Sequence, residues 1–212
     1  MELYFSPMAC SLATRIALYE AGAAARFIEV DSASKRTRDG ADYWQINPMG
    51  QVPALRTEDG RLLTENAAVL QHVGEAFPAA ALLPADAAGR DALRQWLGFI
   101  GTELHKAVFV PLLDPHAVAE VKAYASEKAA LRLSVLERHL EAHDHLVSAF
   151  SVADAYLTAV LNWAPYAGVD LAPWPALTNY HRRMTRRPAI SRAIGEEFEL
   201  YKQEQARRKK AA

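Results

Sequence analysis

Two hydrophobic periods alternate in the first part of this chain, and only one survives in the rest. Residues 2–5 (ELYF) alternate and favour β structure, and Ser6-Pro7 breaks the run. From about Ser11 to Gly22 the apolar residues Leu12, Ile16, Ala17 and Tyr19 fall at helical spacing, with Gly22 as the stop. Residues 26–30 (RFIEV) read as a second strand, so the first two strands are expected parallel with a right-handed crossover. Residues 31–40 are polar, carry Lys35, Arg36 and Arg38, and read as a mobile loop. A short helical piece over 42–46 ends at Asn47-Pro48. Pro53 opens the next apolar run, a place where it removes no central ladder bond. Residues 54–57 and 61–63 flank Glu58-Asp59-Gly60 and predict an antiparallel hairpin, with a helix over 65–76 behind it. Beyond Pro78 and Pro84 no strand signal competes. Helical periodicity runs over 89–110, 116–143, 152–167, 176–186 and 189–200. The expected organisation is an α/β domain over 1–78, a linker over 79–87 and an all-α domain over 88–212.

Composition narrows the possible roles. The chain of 212 residues is 51% hydrophobic and 23% charged, enough apolar content for a packed core. Lys+Arg at 24 against Asp+Glu at 25 leaves a net charge of -1, which argues against a nucleic-acid partner. The one cysteine, Cys10, excludes an intramolecular disulfide and any cysteine-clustered metal site, and it suits a reducing compartment. No apolar run is long enough to span a membrane, and the amino end lacks the features of a secretion signal, so a cytoplasmic protein is expected. The cationic stretch Arg207-Arg208-Lys209-Lys210 reads as a frayed, solvated terminus.

Chemistry gathers around Cys10. It stands at the start of the first predicted helix, where roughly half a positive charge and unpaired N–H groups favour a thiolate. A thiol of pKa ~8.5 is about 3% ionised at pH 7, and one lowered to ~6.5 is roughly 75% ionised. The element order with a cysteine before the first helix is the thioredoxin-like pattern. Ala13 stands where a second cysteine of a dithiol motif would be, so any partner thiol must come from outside. In thioredoxin-like folds the proline of Val52-Pro53 is cis, which would turn the Val52 backbone toward a peptide ligand, and an ordinary trans edge proline is the alternative. Leu63-Thr64-Glu65-Asn66 marks a strand-to-helix junction. Its N–H groups and Asn66 suit a carboxylate and Glu65 an ammonium group, although either residue could simply cap the helix.

The segments SPMACSLA (6–13), INPMGQVPAL (46–55), LTEN (63–66), WLGFIGTELHK (96–106) and FSVADAYLTAVLNW (150–163), with Tyr180, Arg183 and Arg187-Pro188, together resemble the glutathione transferase family, in particular its bacterial beta class. The resemblance implies a thioredoxin-like domain followed by an all-α domain, a homodimer, and glutathione as cosubstrate beside a small hydrophobic electrophile. It places Cys10 by the glutathione sulfur, with Ser11 as the alternative thiol-activating group. Val52, before Pro53, pairs with the cysteinyl backbone. Gln51, Glu65 and Asn66 hold the γ-glutamyl end and Lys35 the glycyl carboxylate. His105 and Lys106 border the thiol and the second-substrate pocket. The chain departs from the pattern with Asn66 where many members have Ser, Gly98 where beta members commonly have Asn, and Ser148-Ala149 for a common Gly-Asp.

Other features read as structural. Ser151 and Asp154 have capping-box spacing. His139, His143 and His145 cluster at a helix end, a place favoured by the dipole more than by a metal. Trp96, Phe99 and Trp163 read as core. The function expected is an enzyme that conjugates glutathione to electrophiles or uses it to reduce a disulfide or peroxide. A non-catalytic binding or scaffold protein on the same fold is the alternative.

Overall fold

The computed structural model of the protein describes residues 1–211, with side chains through residue 209. Contacts divide it into two units. One comprises residues 1–80 together with the last helix, and the other residues 81–187.

The first unit is built on a five-stranded sheet of order β3-β2-β1-β4-β5. Strand β1 (Glu2–Phe5) runs parallel to β2 (Arg26–Asp31), pairing Tyr4 with Ile28, and antiparallel to β4 (Ala54–Arg56), pairing Leu3 with Leu55. Strand β5 (Leu62–Thr64) closes the hairpin with β4. Alternation gives the sheet two faces. On one, Tyr4, Val30 and Ala54 pack with Tyr43 from a 3-10 turn over Tyr43–Gln45. On the other, Phe5 and Phe27 lie under the Arg15 guanidinium, 4.3 and 4.2 Å from the ring centres. Arg15 belongs to α1 (Leu12–Glu20), which packs against α2 (Asn66–Ala76).

Two local expectations are overturned. The segment read as a mobile loop contains a short strand, β3 (Arg36–Thr37), paired with β2. Its turn is closed by the Asp31 carboxylate, which accepts the Ala33 and Ser34 N–H groups at 2.9 and 2.7 Å. The cationic end is not frayed at Arg207 and Arg208. Its helix runs Pro188–Ala211, packs on α1, and carries Arg207 and Arg208 onto acidic partners; Lys210 lies outside the described side chains. This is why the last helix groups with the sheet and not with the helices before it.

The second unit is all-α. Its helices are α3 (Ala87–Phe99), α4 (Val110–Leu113), α5 (Ala119–Leu140), α6 (Val152–Leu161) and α7 (Pro175–Thr185), which makes the carboxyl-terminal helix α8. Between α3 and α4 the chain stays helical but widens to π geometry over Ile100–Phe109, a change that periodicity alone does not signal. Helix α6 is buried along its whole length. The capping box starts it: Asp154 accepts the Ser151 N–H at 2.9 Å and Ser151 Oγ accepts the Ala153 N–H at 3.3 Å. The same carboxylate takes the Leu146 N–H at 3.0 Å and the Tyr180 hydroxyl at 2.8 Å. Burial pushes its pKa up, and these donors oppose that shift.

Replacing Ser151 by Ala is expected to lower the unfolding free energy by about 1 kcal/mol. Asp154→Ala should lower it by about 3 kcal/mol or more, because four buried donors, the Ser151 hydroxyl among them, lose their acceptor. Denaturant titration followed by circular dichroism measures both. Equal losses would show that the carboxylate holds nothing beyond the cap.

Candidate active site

Cys10 lies one residue before the cap of α1 and is half-buried. Its thiol donates to the Val52 carbonyl, with Sγ 3.2 Å from the oxygen. The Val52-Pro53 bond is cis. A helix terminus and the segment before β4 therefore meet at the one sulfur. The N–H groups of Leu12, Ala13 and Thr14 are engaged by the carbonyls of Ala9, Cys10 and Ser11 at 3.0, 3.2 and 3.0 Å. The positive end of the α1 dipole therefore lies beside Cys10, where these three first-turn donors are already engaged.

Ser11 does not share the position of Cys10. It is fully buried, and its hydroxyl donates to the Ser6 carbonyl while its oxygen takes the Ser6 N–H, both at 3.3 Å. This geometry turns the Ser11 hydroxyl onto the Ser6 backbone. Neighbouring residues at a helix start point in different directions, and Ser11 points into the β1 end.

Three further contacts fix the turn that carries the thiol. Asn66 Nδ2 donates to the Cys10 carbonyl at 3.2 Å, tying the start of α2 to the start of α1. Met8, at φ +60°, donates its N–H to Glu197 Oε2 at 2.8 Å. Glu197 Oε1 also lies 3.0 Å from Arg15 Nε, a charge contact whose angle does not make a hydrogen bond. Glu197 comes from α8 and is wholly buried, and burial pushes its pKa up to about 8. Sequence reading missed this residue, since the run Gly195-Glu196-Glu197 looks like an ordinary solvated face.

The segment leading to Val52 is equally fixed. The Gln51 carbonyl accepts the Tyr43 hydroxyl and the Asn47 Nδ2, each at 2.8 Å, and the Gln51 side chain stays exposed. Gly50, at φ +60°, has the Trp44 ring where a Cβ would stand, at 2.6 Å. Lys35 Nζ donates to the Gly50 carbonyl at 2.9 Å. Glu65 is exposed, sits at φ +66° and ψ +122°, and makes no capping bond with its side chain. A non-glycine residue in that region is strained by about 1–3 kcal/mol. Capping does not account for the strain. The Ala68 and Val69 N–H groups return to the Glu65 carbonyl, which leaves those of Asn66 and Ala67 as the donors of the terminus.

The first unit thus brings Cys10, Val52 and Asn66 into contact, and holds Lys35 and Gln51 along the segment that enters Val52. His105 and Lys106 belong to the second unit. His105 is buried on the π stretch with Nδ1 2.7 Å from the Tyr156 hydroxyl and its ring against Trp163, and burial pulls its pKa down to about 4. It is a neutral imidazole at pH 7. Lys106 is exposed. The imidazoles of His139 and His143 stack at 4.4 Å and bond to the carbonyls of His145 and His139 respectively. No group of three metal-ligating side chains occurs among the described residues, and no helix there is long and apolar enough to cross a membrane.

Comparison with known proteins places this geometry. Residues 1–75 match the glutathione S-transferase N-terminal domain and residues 102–188 its C-terminal domain. A curated relative, glutathione S-transferase GstA of Escherichia coli O157:H7, is 37% identical over 200 residues, covering 93% of this chain and 98% of that protein. A sphingomonad glutathione S-transferase complexed with glutathione is 44% identical with a TM-score of 0.89, over 93% of this chain and 98% of its own. A bacterial beta-class enzyme from Sphingomonas chungbukensis is 41% identical, also with a TM-score of 0.89 and the same coverage. The chain belongs to the glutathione S-transferase family.

Two outcomes follow from the site. Ser11→Ala should cost about 1 kcal/mol of stability and leave the pH midpoint of Cys10 alkylation where it is; a shifted midpoint would return Ser11 to the thiol. Glu197 has a folded pKa of about 8 against an ordinary 4.5, so its ionised form is disfavoured by folding. Wild-type stability should therefore fall, relative to Glu197→Gln, as the pH rises from ~5 to ~8, and level off above. Unfolding free energies of both proteins across that range test the sign, and a flat difference would show that Glu197 folds as a carboxylate.

Proposed function

We propose that the first unit binds glutathione with its sulfur at Cys10, and that the enzyme adds this thiol to a small hydrophobic electrophile. The contact that carries the reading is Cys10 Sγ at 3.2 Å from the Val52 carbonyl. It puts a thiol beside the backbone segment on which a cysteinyl residue would pair as an added strand. Glu65, held exposed in a strained conformation, meets the α-ammonium of the γ-glutamyl end. The N–H groups of Asn66 and Ala67 meet its carboxylate, with the Gln51 side chain beside them. Lys35 reaches the glycyl carboxylate. The glutathione-bound sphingomonad relative and the E. coli relative support this assignment.

Thiolate stabilisation is electrostatic. The dipole of α1 favours negative charge where the bound sulfur would lie, and the ionised thiol is the nucleophile. Thiol–disulfide exchange is the second reading, favoured by the half-buried Cys10 at a helix terminus. The Cys10 thiolate attacks one sulfur of glutathione disulfide, the old S–S bond breaks, a mixed disulfide forms, and one glutathione leaves as thiolate. His105 and Lys106 are taken as second-substrate residues of the helical unit, His105 acting as a neutral group. We take the enzyme to be a cytoplasmic homodimer. The lone thiol suits a reducing compartment, and the dimer follows the family resemblance.

The test uses the whole protein. It should be retained on immobilised glutathione and turn over a chlorodinitroarene. Treatment with glutathione disulfide should add one glutathione by intact mass, removed by reductant and absent in Cys10→Ala. Retention without turnover would leave binding or exchange as the function, and no adduct at all would remove Cys10 from the sulfur site.

A further inference from the structure

The cationic carboxyl end of α8 folds back on the turn that carries Lys35. Arg207 Nη2 lies 2.5 Å from Glu29 Oε1 on β2, where the Glu29 side chain is 11% exposed. Arg208 Nη2 contacts Glu204 Oε1 at 2.6 Å and Ser32 Oγ at 3.0 Å, with Asp31 Oδ2 at 4.0 Å. Ion pairs between fully exposed side chains contribute little. These are of another kind, since Glu29 is largely out of water and the contacts of both arginines converge on consecutive elements, the end of β2 and the turn after it.

That turn is a short relay. Asp31 accepts the Ala33 and Ser34 N–H groups with its carboxylate and the Lys35 N–H with its carbonyl, the last at 3.0 Å. Lys35 sits at φ +55°, a conformation that a lysine keeps only where its surroundings over-determine it. The Lys35 carbonyl takes the Tyr43 N–H at 2.9 Å, and its ammonium lies on the Gly50 carbonyl at 2.9 Å, one residue before Gln51-Val52. A cation on a flexible four-carbon stem is held at the edge of the thiol-substrate site only while this turn keeps its shape.

We propose that Arg207 and Arg208 are positioning residues for the glycyl end of the thiol substrate, acting through the Asp31–Lys35 turn. The proposal rests on the glutathione reading above, and it makes the carboxyl end of α8 a determinant of which thiol is preferred. The probe that isolates this end is γ-glutamylcysteine, which lacks the glycyl residue and carries its terminal carboxylate on the cysteine instead.

The experiment measures the dissociation constants of both thiols by calorimetry, together with kcat and KM, for wild type, the double variant Arg207→Ala/Arg208→Ala, Lys35→Ala and the combination. The double variant should bind glutathione about fivefold more weakly, as when one charge-assisted contact loosens, and bind γ-glutamylcysteine within about twofold of wild type. KM for glutathione should move more than kcat. In the Lys35→Ala background the arginine substitutions should have no further effect. Arg207→Lys/Arg208→Lys keeps both charges; it should recover most of the preference, and it supplies the comparison if the alanine variant does not fold. Equal weakening toward both thiols, full additivity with Lys35→Ala, or no change overturns the proposal. Wild type that holds glutathione while the variant matches it overturns this inference alone. Wild type that holds neither thiol overturns the glutathione reading as well.

Discussion

One turn, residues 6–10, governs what the first unit can do. It links a strand to a helix, holds Met8 at positive φ, and must present a sulfur without letting it drift. No single bond does this. The Ser11 hydroxyl closes the turn on Ser6, the Glu197 carboxylate takes the Met8 N–H, Asn66 takes hold of the Cys10 carbonyl, and the thiol itself rests on Val52. Each contact comes from a different element, so the sulfur position is a property of the packed unit and not of the local sequence.

Glu197 is the least expected of these. A carboxylate that is buried among apolar neighbours is destabilised unless it is paired and bonded. Here the Arg15 guanidinium and the one backbone donor only partly oppose that cost, so the group holds its proton up to about pH 8; Arg15 in turn is shared with Glu196 at 3.1 Å and stacked on Phe5 and Phe27. The aromatic floor, the cation above it and the two glutamates of α8 form one stack. Through it α8 fastens both the helix that follows Cys10 and the turn that precedes it. The same helix reaches β2 at its far end through Arg207, so it braces the first unit at two places.

The second unit follows the same logic with different chemistry. Helix α6 is buried on every side, so its amino end cannot turn to water for its N–H groups. Asp154 supplies acceptors to the cap, to Leu146 and to Tyr180. The buried carboxylate is tolerated because almost all its lone pairs are used, which is the condition for a stable buried charge.

Much of this was legible in the residues. The parallel pair with its crossover, the hairpin around Glu58-Asp59-Gly60, the capping box at Ser151 and the helical second half follow from local spacing and turn chemistry, which act over a few residues. The candidate ligands Cys10, Val52, Glu65 and Asn66 were visible because helix termini and a strand-opening proline leave marks in sequence. Strand β3 was not, since Arg36-Thr37 has no apolar alternation and exists only because β2 offers a ladder. Ser11 and Cys10 are adjacent letters with opposite fates, separated only by the direction each side chain takes from the helix start. The π widening around His105, the clamp of Glu197 on Met8 and the seating of Arg207 on Glu29 depend on segments far apart in the chain. Sequence alone set the elements and the chemical groups available. Tertiary structure decided which groups meet, because long-range contact is fixed by packing and not by spacing.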